Sequence, residues 1–510
     1  MKIYFLPFIY CLLFTFSSIA QTKTRQIDLL HANSLEHDEM LGKDVQRLIG
    51  NVSFKDGNTL LYCDSAYKYP DNNVDAFSNV RIQQGDSLTI YGQFLKYNSN
   101  TRMTEIHKSV RLVQKGTTLL TELLYYDMGT HMANYPNGGT INSKQNVLTS
   151  DHGYYNPKTK IFSFKKNVVL TNPQYVMYCD TLNYSSANNT AIFIGPTRIK
   201  NKDNLIYCES GWYNTDNDNA QFSKNASITG KEQKMIGDSI HYDRLKGIGT
   251  AVGNVSIIDS SQNIIVTGDR AISSEKKETS TMTGHALLKQ FYDSDTLFLH
   301  ADTLRSVDEH PMNKKHEADT SVTWRIMYAY HKVKFFRTDI QGSCDSLVYS
   351  GKDSIMRLYK QPIMWSEKNQ LIAKKIELKT SGGAITKMFL KDAALIVSKE
   401  DSVKYNQIKG KVMTGYFKDN KLSKIYVEGN GQTIYFVKDK EKKIGINRAD
   451  CSNLIIYIKD NSIEKITFLK KPDATLFPMK DFVDPKEFLL KEFVWREKER
   501  PLSVADIFGK

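Results

Sequence analysis

Hydrophobic and polar positions along the chain recur every 29 residues. Aligned on an acidic or polar anchor, the copies read Asp64, Gln93, Glu122, Asp151, Asp180, Glu209 and Asp238. The register continues with small insertions through Asp269, Asp302, Asp345 and Lys374, and an earlier copy falls at Asn33. Three residues before the anchor stands an apolar side chain: Leu61, Ile90, Leu119, Leu148, Met177, Ile206 and Met235, then Val266, Leu299 and Leu371, with Gly342 as the exception. The residue just before the anchor is small, as at Cys63, Gly92, Cys179 and Cys208. Four residues after it come Tyr97, Tyr126, Tyr155, Tyr184, Tyr213 and Tyr242, then Tyr349. Six tyrosines in unbroken steps do not arise by chance in a chain that holds 28. Such self-similarity marks a stacked-repeat architecture.

Each copy predicts strands, because apolar residues alternate and β-branched and aromatic types dominate. The two positions before the anchor share one strand face, as do Leu95 and Tyr97 after it. The parity switches between them, which predicts a bulge or corner at the anchor. The acid then points outward and caps backbone N–H groups, while both flanking arms face inward. A second bend is predicted at turn-like pairs such as Ser78-Asn79, Lys166-Asn167, Gly195-Pro196, Lys224-Asn225 and Gly253-Asn254. One copy cannot bury its own apolar face, but a stack can. The fold class is therefore all-β: an elongated antiparallel β-solenoid of stacked units, each folded into a V or flattened roll with an apolar lining. At two strand spacings per copy the stack is on the order of 100 Å long.

The first twenty residues stand apart. Lys2 precedes an apolar run from Ile3 to Phe16, and Ser18-Ile19-Ala20 offers a small-x-small cleavage site before Gln21. This reads as a secretory signal peptide. The run falls short of the roughly 20 residues that a spanning helix needs. The predicted organisation is 1–20 leader, 21–400 repeat body, 401–471 longer degenerate β units, and 472–510 a tail with a short helix starting near Pro485. Phe488, Leu489 and Phe493 give that helix an apolar face that caps the stack end or docks a partner.

Composition narrows the chemistry. Aromatics at 11% exclude a disordered chain. The 69 Lys and Arg exceed the 56 Asp and Glu, for a net charge of +13. In an exported protein most single lysines read as guards of exposed strand edges, and the net charge acts as a field that attracts anionic headgroups rather than nucleic acid. The histidines show no metal-ligand spacing, and Gly247–Gly253 opens a strand rather than a dinucleotide-binding helix. No cofactor and no metal are expected. Repeated acids form a structural ladder, with Gln93 and Lys374 substituting freely, so no catalytic residue is assigned and the chain is read as a non-enzyme. Cys63, Cys179, Cys208, Cys344 and Cys451 read as buried small residues rather than disulfides. The columns alone leave an open groove and a closed core equally admissible.

Met177-Tyr-Cys-Asp-Thr-Leu-Asn-Tyr184, Ile236-Gly-Asp-Ser-Ile-His-Tyr242, Val252-Gly-Asn-Val-Ser-Ile257 and Leu48-Ile-Gly-Asn-Val-Ser-Phe54 carry a family pattern. Over residues 22–400 the chain resembles the OstA/LptA family, periplasmic lipopolysaccharide-transport proteins and the N-terminal domain of their outer-membrane partner. The resemblance implies a β-jellyroll with an open hydrophobic groove for acyl chains, and periplasmic localisation with outer-membrane association. It implies lipopolysaccharide or a similar acylated glycolipid as ligand, and outer- and inner-membrane transport components as partners. This chain is longer than a single family module, so joining end to end with itself and spanning the gap alone both stay open. The expected lipid-binding residues are the inward columns Leu61, Ile90, Leu119, Leu148, Met177, Ile206, Met235, Tyr97, Tyr126, Tyr155, Tyr184, Tyr213 and Tyr242. The alternatives are an exported scaffold with a closed core and, less favoured, a polysaccharide-active β-helix enzyme.

Overall fold

The computed structural model describes residues 27–508, apart from 38, 39, 41, 87, 294, 313–318, 320, 419, 420, 440, 441, 460 and 461. The expected leader lies outside the described residues. The chain divides into two compact units, Met1–Pro173 and Gln174–Lys510. Both are built of antiparallel strands, and no α-helix occurs among the described residues.

The first unit is a meander of strands, among them Gln46–Asp56, Thr59–Lys68, Val74–Gln84, Leu88–Asn98, Met103–Gln114 and Thr117–Asp127. Each long strand has two arms that meet at a corner. Ile49 pairs with Ser65 and Val52 with Cys63, so Gly50 and Asn51 stand opposite the single residue Asp64. Ser78-Asn79 likewise stands opposite Gln93. Two residues against one is a bulge, and it bends the strand. Both residues of the pair are left-handed: Ser78 and Asn79 have φ of 61° and 44°. Asn and Gly tolerate that region best, which explains why they recur there.

The two bends expected from sequence are therefore one corner seen from adjacent strands. The acids point outward as expected, but four of them take a side-chain amide rather than a backbone N–H. Asn79 Nδ2 donates to Asp64 at 2.7 Å, Asn167 to Asp151 at 2.8 Å, Asn225 to Glu209 at 2.8 Å and Asn254 to Asp238 at 3.0 Å. The reason is register: the left-handed pair sits directly across from the acid. Ser109 N–H on Glu122, at 3.3 Å, is the backbone case.

The second unit repeats this corner. Lys224-Asn225, Gly253-Asn254 and His331-Lys332 are all left-handed pairs or contain a left-handed Gly. The corner persists where the sequence pattern fades. Asp392-Ala393 faces Lys411, and Gly429-Asn430 faces Ser452. The strands there are long, up to Lys421–Asp439.

The short helix expected near Pro485 is a 3-10 turn at Pro485–Phe488, with Asp484 accepting from Lys486 N–H at 2.9 Å, one of several such turns in the tail. Gln407 explains the stop. Its side chain donates to the Phe488 carbonyl at 2.9 Å and accepts from Leu490 N–H at 2.8 Å, taking backbone groups that a helix would need. The tail caps no stack end. It packs on the outer face of the arm that precedes each anchor. Phe488 and Leu490 bury against Ile434, Phe436 and Ile446, with Phe477, Met479 and Phe482 around them.

Three buried glutamines, each four residues before its anchor position, staple it down. Beyond Gln407, Gln370 bonds the Val494 carbonyl at 2.7 Å and Arg496 N–H at 2.6 Å, and Gln341 accepts from Arg500 Nε at 2.8 Å. Trp365, register partner of Gln341, is buried in the same face.

Candidate functional site

The inward columns form the lining between the two arms. One arm holds residues just before each anchor and the other holds residues just after it. In the first unit this interior is sealed. Leu61, Ile90, Leu119 and Leu148 on the first arm are buried, as are Tyr97 and Tyr126 on the second. Buried hydroxyls need partners, and here the partners cross between the arm tips. Tyr97 donates to Asp56 at 3.0 Å, and Tyr126 donates to Gln84 at 2.8 Å and contacts His131 at 3.1 Å. Arg102 grips Asp56 through Nε at 2.9 Å and Nη2 at 2.8 Å. Burial, then the Asp56 charge, pushes the Tyr97 hydroxyl well above the usual phenol range. A fork–fork pair between carboxylate and guanidinium is specific in geometry. Breaking such a buried pair from one side costs about 3–5 kcal/mol.

The lining of the second unit is looser. Met177 is buried, but Ile206, Met235, Tyr184, Tyr213 and Tyr242 are only half-buried. The tyrosine hydroxyls bond along their own arm: Tyr184 to Asn189 at 3.1 Å, Tyr213 to Asp218, and Tyr242 to Glu275 at 2.9 Å. Tyr155, at the end of the first unit, is half-buried and stacks on Phe162 at 4.2 Å.

Two adjoining cavities open between the arms further along. One of about 480 Å³ is lined by Leu299 and Leu297 on the first arm and Met327, Leu347 and Tyr349 on the second. The other, of about 460 Å³, is lined by Ile257, Val266 and Met282 among others. They share Ile264, Leu304, Arg325 and Met327 as walls. If a methylene occupies about the ~30 Å³ of one liquid water, each space accommodates roughly one acyl chain. None of the thirteen residues expected to line a lipid site borders either cavity. Val266, Leu299 and Tyr349, which do, continue the same columns. The signal was present, but the strict 29-residue steps end at 242, ahead of the cavities.

The mouth beside these cavities carries a looser copy of the first unit's lock. Arg325 on the second arm bonds Asp308 through Nε at 2.9 Å and reaches across to Asp259 on the first arm at 3.4 Å. Burial alone would raise the Asp259 carboxyl. Ser261, Gln233 and the Gln262 N–H outweigh it and, with Arg325, hold the carboxyl below its ordinary range. The Arg325 side chain is 34% exposed, against 21% for Arg102. A partly exposed single contact contributes about 0–1 kcal/mol. Beyond it, Tyr292 on the first arm meets Gly383 on the second, where a Cβ would lie 2.8 Å from the ring.

The five described cysteines are free and buried. Burial pushes the thiols of Cys63, Cys179 and Cys344 up to about 12, so they are poor nucleophiles. Among the described residues no three potential metal ligands come together.

A family model described as OstA-like protein matches residues 24–180 and 165–238. A second, described as LptA/(LptD N-terminal domain) LPS transport protein, matches residues 265–384. No curated protein matches the chain. Among solved structures, LptH of Pseudomonas aeruginosa, the LptA homologous periplasmic component of its lipopolysaccharide transport device, is 15% identical. It covers 27% of this chain and 96% of its own, with a TM-score of 0.22, too low to bear on the fold. The repeated motifs and the two family matches agree, and the chain belongs to the OstA/LptA-like family of lipopolysaccharide-transport proteins.

Proposed function

We propose that this protein is a non-enzymatic periplasmic carrier that holds acyl chains of lipopolysaccharide, or a similar acylated glycolipid, between its two arms. The reading includes delivery toward the outer membrane and partners among the transport components of both membranes. The observation that carries it is the pair of apolar cavities walled by both arms of the second unit. Burying acyl chain there yields about 0.8 kcal/mol per CH₂. Columns that repeat from copy to copy offer a chain similar affinity at successive positions, as passage along a groove requires.

The sealed interior of the first unit favours a second reading for that unit alone: a closed scaffold. Photo-crosslinkers at Met327 and Tyr349, with controls at Tyr97 and at the outward Lys334, separate the two. Lipid adducts at Met327 and Tyr349, and none at the controls, are expected. Absence of adducts at every inward position of the second unit refutes the carrier.

A further inference from the structure

We infer that acyl chains reach the cavities sideways through the mouth of the second unit, and that Arg325 is the latch that admits them. The inference rests on the carrier reading above. Three observations converge on this residue. Arg325 is a wall of both cavities, so it stands where they join. It ties the second arm to the first by one contact, Nη1 to Asp259 at 3.4 Å. Its firmer bonds, to Asp308 at 2.9 and 3.3 Å, stay on its own arm. Releasing Asp259 therefore leaves Arg325 still paired and strands no bare cation among apolar side chains.

Asp259 is equally provided for, because Ser261 Oγ at 2.6 Å, the Gln262 N–H at 3.1 Å and Gln233 Nε2 at 3.0 Å remain on it. Both halves of the tie thus keep partners when it opens, as a reversible latch needs. The corresponding lock in the first unit lacks this property. Arg102 gives Nε and Nη2, one whole edge of its guanidinium, to Asp56 across the mouth, with the Met128 carbonyl at 3.3 Å besides, so parting the arms breaks both charge-assisted bonds at once. One mouth is built to stay shut and the other to open. The chemistry next to the latch fits one hydrocarbon chain at a time: Leu299, Leu304, Met327, Leu347 and Tyr349 line the cavity beside Arg325.

The test closes the mouth covalently in the full-length protein. Asp259→Cys and Arg325→Cys are combined and bridged by a short bis-maleimide; the five native thiols among the described residues are buried. The probe is cis-parinaric acid, a single fluorescent acyl chain. The unbridged double variant should take up the probe at least as fast as the native protein, which also reports that it folds. Bridging should abolish uptake, and a matched bridge at Asp56→Cys and Arg102→Cys should leave uptake intact. Arg325→Ala alone should speed uptake. Unchanged uptake in the bridged protein overturns the latch while leaving the carrier standing, and points to loading from an end of the stack. Failure of the native protein to bind the probe overturns the latch together with the carrier.

Discussion

At the residue scale, the corner depends on side chains that accept a left-handed backbone. Asn225 sits at φ 55° and donates to Glu209. Asn225→Ala should cost about 1 kcal/mol, since Asn tolerates that region and Ala does not. Asn225→Gly should be near neutral, because glycine carries no Cβ penalty. Denaturant midpoints of the two variants check this, and equal midpoints would count against it. Charged pairs differ by context in the same way. Asp56→Ala strands Arg102 and should cost about 3–5 kcal/mol, whereas losing only the Arg325 contact of Asp259 should cost at most about 1 kcal/mol. Amide exchange at the arm tips distinguishes them. Acid should weaken the second unit in a definite window. Asp259, Glu377 and Asp401 all have carboxyls held below their ordinary range by bonds that outweigh burial. Their contribution is complete above an unfolded value of about 4 and is lost as pH falls through the lowered folded values. Melting temperature should be flat in this respect from pH 7 to pH 5 and fall below pH 4. A steady decline starting at pH 7 would contradict that origin.

At the element scale, the outer face under the tail makes the sharpest prediction. Phe488 and Leu490 are buried against strands more than forty residues away. Phe488→Ala should cost about 3–5 kcal/mol and Leu490→Ala about 2–5 kcal/mol. Removing residues 479–510 should expose Ile434, Phe436 and Trp365 together and give strong binding of a hydrophobic dye. A truncated protein that melts like the full chain refutes this packing. The apolar side of the tail at Phe488 was legible in the sequence but the face it covers was not, whereas the corners were. A corner is local: the acid, the small residue before it and the Asn or Gly pair of the next strand recur within one period. The tail contacts are not local. Gln407 meets Phe488 across 81 residues and Gln341 meets Arg500 across 159, with no period to announce either. Three glutamines in one column are visible in hindsight, but polar residues on an outward strand face ordinarily meet water. The fate of the lining was hidden for the same reason. Leu61 and Met235 occupy one column, yet one is sealed and the other half-open, because ties such as Asp56–Arg102 reach across 46 residues.

At the scale of the whole molecule, one repeat serves two ends. The first unit locks its interior with buried pairs, and the second keeps apolar space behind a weak tie. A net charge of +13 surrounds them, a field that draws anionic amphiphiles at low salt and fades as salt screens it. Probe uptake should therefore slow between 20 mM and 300 mM salt while the final bound amount changes little, and uptake indifferent to salt would remove charge from the account. The strapped outer face has a consequence for how the protein comes into being. A ribosome delivers the strands before their cover, so Ile434, Phe436 and Trp365 stay bare until the segment after residue 478 emerges. A chain cut short there would be fully pleated yet sticky, and proteases that survey greasy surfaces would find it. The covering segment thereby certifies that the strands made before it are present.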